Sequence, residues 1–272
     1  MNRRKFLYLA PIGIAGLAAA DAFAIEPNWI DYSEERFGKG TSVYHKIIQL
    51  SDLHLSAIEP KHEEIAKKIN TIKPQYVVIT GDTIDRNEAL PILDEFLSKI
   101  DHSIHKIAVL GNWEWWGKVN IAQLNITYRK HNCVLLVNES VSFQIDNLTT
   151  TFVGIDDLVG GFPDFETSFS NIKPNERVIV LAHCPAHFEK IDEFVKTRAI
   201  NVDAVLSGHT HGGQVNVFGF IPFLPPGSGE YLKGWYRKNN IPMYVSRGVG
   251  MTILPIRFGS RPEVPVFDYY IA

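Results

Sequence analysis

From Tyr44 onward the apolar residues fall into two spacings. Short consecutive apolar runs, each closed by Gly, Asn, Asp or His, read as strands covered on both faces; between them, apolar residues three and four apart read as helices. "HKIIQLSD" (45–52) is a strand of the first kind. "PKHEEIAKKINTI" then sets Ile65, Ile69 and Ile72 on one face behind Pro60, a residue suited to a first helical turn. "QYVVITGD" is a strand again, "NEALPILDEFLSKI" a Pro-interrupted helix, "IHKIAVLGN" a third strand and "KVNIAQLNITYRKH" a further amphipathic helix. This βαβαβα order predicts a parallel sheet. The second half is richer in strands, at "CVLLVN", "SVSFQI", "TTTFVGI", "RVIVLAH", "DAVLSGH", "MYVSRG" and "VPVFDYYI", with one helix at "PAHFEKIDEFVKT". The expectation is an α/β fold with two sheets packed face to face and helices outside. No repeat or linker interrupts it, so 44–272 reads as one domain behind a connecting segment, 25–43.

The first residues do not join that pattern. "MNRRKFLYLAPIGIAGLAAADAFA" (1–24) has a basic start, an apolar stretch from Phe6 to Ala20 and a small-x-small end at Ala22-Phe23-Ala24, the three parts of a secretory signal. Arg3-Arg4 followed by Phe6-Leu7 resembles a twin-arginine signal. The expected location is the periplasm or cell envelope, with a retained membrane anchor as the alternative. Only Cys133 and Cys184 are present, so no disulfide scaffold is expected; two buried thiols or a single bridge remain open. A formal net charge of −3 over 272 residues offers no basic field for an extended nucleic acid. A small anionic substrate fits if metal supplies the positive charge.

The chemistry sits where strands end. In open α/β sheets ligands gather beyond the carboxyl ends of the strands. Here those ends carry Asp52 and His54, Asp82, Asn112, His183, and His209 with His211. In extended backbone the i, i+2 pairs Asp52/His54 and His209/His211 point the same way and are expected to converge on an ion. A lone histidine at a strand end is usually a turn or core residue. Five successive ends bearing oxygen and imidazole donors are not explained that way, and the donor set suits Mn, Fe or Zn.

Read in order as D-x-H, G-D, G-N, an isolated H and G-H-x-H, these residues closely resemble the calcineurin-like metallophosphoesterase family. The match spans nearly the whole chain after the leader. "GHTHGGQV" and the tail "SRGVGMTILPIRFGSRPEVPVF" further resemble an exported bacterial branch that includes twin-arginine cell-wall phosphodiesterases and enzymes cleaving nucleotide-linked lipid precursors, among them UDP-2,3-diacylglucosamine hydrolases. The resemblance implies a four-layer αββα sandwich of two mixed sheets and two divalent metal ions. It places Asp52, His54 and His211 on one ion, Asn112, His183 and His209 on the other, and Asp82 between them. Such a pair lowers the pKa of bound water and clamps a phosphoryl group. The implied activity is metal-dependent hydrolysis of a phosphodiester or pyrophosphate in the cell envelope. The implied substrate is a phosphoester-containing small molecule or lipid-linked compound, with peripheral membrane or cell-wall contact an open reading.

One departure qualifies this. In "VLGNWEWWGKV", Trp113 stands where the family usually carries a histidine that contacts the phosphate and protonates the leaving oxygen. An indole N–H donates a hydrogen bond but releases no proton at any relevant pH. Losing a positioned general acid costs about 10²–10⁴ in rate. The tryptophans either pack under the next helix, form a wall for a base, sugar or acyl chain, or mark a catalytically weak metal- and ligand-binding protein. Glu114, His187 and the His102/His105 pair are the other candidate proton sources. Arg247 is either a phosphate contact or a structural ion pair. The apolar stretch "FGFIPFLPPGSG" (218–229) is too rich in Pro and Gly for a helix or central strand, and reads as loop packing or a lipid-side contact.

Overall fold

A computed structural model of the chain describes residues 12–13, 16–41, 43–145 and 147–271. The Arg3-Arg4 pair and most of the apolar leader lie outside the described residues. Among the described residues twelve strands run in chain order, most of them where the apolar runs are dense. They are β1 (Glu34–Gly38), β2 (Tyr44–Leu50), β3 (Tyr76–Thr80), β4 (His105–Val109), β5 (Cys133–Leu135), β6 (Glu139–Ile145), β7 (Leu148–Gly154), β8 (Arg177–Leu181), β9 (Asn201–Ser207), β10 (Gly234–Lys238), β11 (Ile241–Val245) and β12 (Val266–Tyr270). They make two six-stranded sheets, β1-β12-β2-β3-β4-β5 and β10-β11-β9-β8-β7-β6. β2 to β5 are parallel, as the helix-strand alternation predicts, and β12 returns antiparallel beside β2, so the sheet is mixed.

Consecutive side chains on these strands serve different layers, which is why the strands read as continuous apolar runs rather than alternating ones. Ile47, Tyr76, Val78 and Ile107 face the second sheet and meet Phe152, Ile179, Leu181 and Leu206 there. Ile48, Val77, Ile79 and Ala108 face the helices α1 (Pro60–Ile72), α2 (Leu90–Ser98) and α4 (Ile121–Lys130), whose Ile65, Ile69, Phe96 and Leu124 cover them. Val178, Val180 and Val205 pack outward under Phe188, Ile191 and Val195 of α6 (His187–Arg198). Two short helices between these are α3 (Asn112–Trp116) and α5 (Phe165–Ser168). Three apolar interfaces between four layers give the αββα sandwich.

Pro91 falls in the first turn of α2, where a missing N–H costs nothing, so the proline starts the helix rather than interrupting it. β1 and β10 have weak apolar patterns because each lies at a sheet edge, with one side open. Cys133 and Cys184 are both buried free thiols.

Candidate metal centre

The loops after β2, β3, β4, β8 and β9 meet at one end of the sandwich. Asp52 and His54 follow β2, Asp82 follows β3, Asn112 opens α3, His183 follows β8, and His209 and His211 follow β9. All seven are buried. The structure gathers Asp52, His54 and His211 into one group and Asp82, His183 and His209 into a second, each with its ligand atoms within 4.8 Å of one another. Asn112 Oδ1 lies 3.2 Å from His183 Nε2, which places it with the second group.

The backbone reaches this arrangement differently from the extended geometry expected of the i, i+2 pairs. Asp52, His54, His209 and His211 have φ of 51°, 45°, 74° and 51°, and Asp82 has 51°. They occupy the left-handed region, so each pair converges through a tight loop while Leu53 between the first two turns into the core. Such a conformation costs a non-glycine residue of order 1 kcal/mol or more, and it persists because the surrounding packing over-determines it. The glycines preceding the ligands have a steric reason. A Cβ on Gly81, whose φ is 89°, would stand 2.6 Å from His183 Nδ1, and one on Gly111 would stand 2.2 Å from Asp82 Oδ1.

Whether these residues fit metal ions is decided by where their lone pairs point. His183 Nδ1 donates to Thr80 O at 2.7 Å, His209 Nε2 donates to Pro226 O at 2.8 Å, and His54 Nδ1 donates to Asp85 Oδ1 at 2.6 Å. Those bonds commit the outer nitrogens as donors and leave the inner ones as bare lone pairs. His183 Nε2 then faces His209 Nδ1 at 3.2 Å and Asp82 Oδ2 at 3.1 Å, and His54 Nε2 faces His211 Nε2 at 3.3 Å. Where two lone pairs face each other this closely, as at His183 Nε2 and Asp82 Oδ2, they repel unless a cation or a proton lies between them. Atoms held ~2.1 Å from one ion at right-angled to tetrahedral spacing stand about 3.0–3.4 Å apart, so the donor set fits. Asp82 Oδ2 is also 3.8 Å from His54 Nε2, so one oxygen faces both groups, the position a bridging carboxylate needs. Burial holds His209 and His211 below their ordinary pKa, in the neutral form that offers a lone pair. Burial would also lower His183, but the adjacent Asp82 carboxylate overrides it and raises the imidazole well above its usual value, so at Nε2 a proton and a cation compete for the same lone pair.

The candidate proton donors are placed elsewhere. Glu114 is buried with its carboxylate accepting from the backbone N–H of Asp82, Thr83, Ile84 and Gly111, so it ties together the loops that carry the ligands. Burial and the neighbouring Asp82 push its carboxyl up to about 7. His187 is buried against Phe165, and burial drops it to about 4. His102 and His105 stand at the start of β4, the opposite end of the strand from Asn112. Arg247 pairs with Asp31 at 2.6 Å and Glu263 at 3.2 Å, the structural reading of that residue.

Trp113 lies edge-on to the His54 ring, centroids 6.0 Å apart, and to Trp116 at 5.7 Å. Trp115 is a packing residue, its Nε1 donating to Asp156 Oδ1 at 2.9 Å. Trp113 and Trp116 form one wall of a cavity of about 450 Å³ that opens directly over Asp82, Asn112, His209 and His211. Phe223, Pro225, Pro226, Ile253 and Leu254 also line its wall. No motif or apolar period in the chain marks Arg257. It is fully buried 3.4 Å from His211 Nδ1 and donates to the carbonyls of Arg247, Gly248, Gly250 and Ser260, which fixes the loop forming that wall.

A family described as calcineurin-like phosphoesterase matches residues 45–213. The uncharacterized metallophosphoesterase YkuE of Bacillus subtilis is 31% identical over 288 residues, covering 98% of this chain and 97% of its own. An uncharacterized metallophosphoesterase of Aquifex aeolicus is 33% identical over 247 residues, covering 85% and 87%. Among solved structures, a 5'-nucleotidase from Candida albicans is similar with a TM-score of 0.51 at 12% identity, over 80% of this chain and 47% of that one, a likeness of fold alone.

Proposed function

From the premise that this chain belongs to the calcineurin-like phosphoesterase family, and is thereby a metal-dependent hydrolase of phosphoesters, we propose that its substrate is an amphiphilic phosphodiester or pyrophosphate of the cell envelope. The observation that carries this reading is the cavity: the two ligand groups open onto a space whose walls are Trp113, Trp116, Phe223, Ile253 and Leu254. A purely polar phosphate ester would leave those walls unused, whereas an acyl chain, base or sugar face covers apolar and aromatic surface favourably.

Two divalent ions bound here supply the positive charge and the acidified water that ester hydrolysis requires. The chain's own residues do the rest. Asp82 aims one oxygen at both ligand groups, the Thr80, Asp85 and Pro226 acceptors hold three imidazoles in the right tautomer, and the aromatic wall positions the organic part and excludes water. No cavity-lining side chain other than the metal donors titrates near neutral pH, since the remaining polar ones are Thr210, Gln214 and Thr252. Departure of the leaving group therefore depends on its own stability, which favours a pyrophosphate or a stabilised phosphodiester.

Envelope location rests on the sequence of the leader. With Arg3 and Arg4 both changed to Lys, precursor should accumulate in the cytoplasm; unchanged envelope levels on fractionation would remove that part of the reading. For the activity, the test is hydrolysis of an aryl phosphodiester with added Mn, with metal counted on the same sample. Turnover with about two ions per chain supports the proposal. A full complement of metal without turnover on any ester favours the alternative that Trp113 raises, a metal- and ligand-binding protein on the same scaffold.

A further inference from the structure

The cavity wall continues outward as an apolar rim. Gln214 Nε2 donates to Thr252 O at 3.0 Å and to Leu254 O at 2.9 Å, tying the loop that follows His211 to the 252–254 turn. Beyond Gln214, Val217 and Phe220 pair across a tight turn with Phe218 at its tip. Phe218 is wholly exposed, at 101%, and has φ 53°. Phe220, Phe223 and Ile253 are 69%, 60% and 78% exposed. Folding alone gives no reason for this, because a bulky apolar side chain is disfavoured both at full exposure and in left-handed backbone. There is also no charged residue from Gln214 to Ser228, or from Gly248 to Ile256.

The chain itself indicates what covers the rim. Glu26, two residues past the end of the leader, accepts from the backbone N–H of Gly259 and Ser260, and Arg257 N donates to Ala22 O at 3.0 Å. The point where the apolar leader joins the domain is thus pinned to the same loop that bears Ile253 and Leu254. Next to it the exposed Trp29 ring carries the Arg261 guanidinium 3.6 Å from its centre. A tryptophan and an arginine at the margin of an uncharged apolar face match the boundary between lipid tails and headgroups.

We infer that this rim docks into a lipid bilayer, with Phe218, Phe220, Phe223 and Ile253 among the tails and the Trp29–Arg261 pair at headgroup level, so that the cavity mouth receives its substrate from the membrane. The inference deepens the amphiphile reading and rests on it only for what enters the cavity. It needs no membrane-spanning helix; among the described residues none is long and apolar enough to span.

The test uses the full chain with an environment-sensitive fluorophore on Phe218→Cys, the native Cys133 and Cys184 being buried. The control is Asn171→Cys, exposed on the turn leading into β8 at the end away from His183. With vesicles of phosphatidylethanolamine and phosphatidylglycerol, the label at 218 should shift to the blue and lose access to iodide, while the label at 171 stays in water. Phe218→Ser with Phe220→Ser should leave hydrolysis of a soluble aryl phosphodiester unchanged, which also checks the fold. It should slow hydrolysis of the same ester on a vesicle-embedded lipid by about 10-fold or more. A protein that floats with vesicles while residue 218 stays water-exposed overturns the inference. So does a shift that follows protein concentration without vesicles, which would assign the rim to a second copy of the chain. A vesicle-dependent shift with no turnover on any ester supports the docking surface and rejects the hydrolytic reading alone.

Discussion

The backbone N–H of Trp113 donates to Asp82 Oδ1 at 2.8 Å, and the other oxygen of that carboxylate faces His183 Nε2 and His54 Nε2. Position 113 therefore orients the carboxylate between the two ligand groups through its main chain, which any residue but proline can supply. The side chain at 113 is left free to vary. A tryptophan can stand there without disturbing the metal donors, and changes at 113 and at Asp82 should have separable effects.

Asp82→Asn tests the carboxylate. Because Oδ1 accepts from Trp113, the asparagine oxygen should take that place and its NH₂ should point at the lone pairs of His183 and His54. A donor would then stand where a shared negative ligand belongs. Activity should fall by about 10²-fold or more while the fold persists, with less than the full complement of metal. Metal counting beside circular dichroism separates site loss from unfolding; near-normal turnover with both ions bound would contradict the assignment of Asp82.

Asp85→Asn tests an orienting contact. Asp85 is partly exposed, so its replacement should cost little stability, but it accepts from His54 Nδ1 at 2.6 Å and fixes the tautomer that leaves Nε2 bare. An amide can present its NH₂ to the same nitrogen and favour the wrong tautomer. Metal affinity or activity should drop about 10–100-fold. Titration of metal into the stripped protein measures it directly, and an unchanged affinity would mean that His54 is held by packing alone.

Much of this site was legible because its residues follow strands, and strands here are dense apolar runs closed by small or polar residues. Asp52, Asp82, Asn112, His183 and His209 all follow that rule. What the sequence hid was conformation and third parties. The i, i+2 pairs lie in left-handed loops, a state set by close approaches such as Gly208 to Ser51 and Asp52 rather than by local composition. Arg257 and Asp85 belong to no apolar period and act across the fold. β1 and β10 lie at sheet edges, where one-sided burial dilutes the pattern.

His62 should make stability fall in mild acid. Its Nδ1 accepts from Glu59 N at 3.0 Å at the start of α1, and burial with the adjacent Lys61 charge lowers its pKa to about 4. Below the unfolded value of about 6.5 the unfolded chain binds this proton and the folded chain does not, so the contribution is complete above 6.5 and is lost as pH falls toward 4. The full loss is at most ~3 kcal/mol. In His62→Gln the amide oxygen can accept the same bond without titrating. Melting temperatures between pH 7 and 4.5 should fall less steeply in the variant than in the wild type; parallel curves would show that His62 does not carry the effect.

Trp113 should set the leaving-group range. An alkoxide needs a proton or strong metal contact on the departing oxygen, whereas a phenolate or a nucleotide phosphate leaves as a stable anion. Glu114 is consumed by four backbone N–H groups, His187 lies under α5, and His102 and His105 sit at the far end of β4, so none of them replaces the missing imidazole. Aryl esters and pyrophosphates should therefore be cleaved readily and simple alkyl esters poorly, with a steep dependence of rate on leaving-group pKa. In Trp113→His the main-chain bond to Asp82 is retained and the smaller imidazole has room on the cavity wall beside His54. Alkyl substrates should gain about 10-fold or more while aryl substrates change little, which flattens the dependence. The measurement is one series of esters of graded leaving-group pKa on both proteins with metal content matched. A flat series in the wild type would mean that a group outside this cavity wall already delivers the proton.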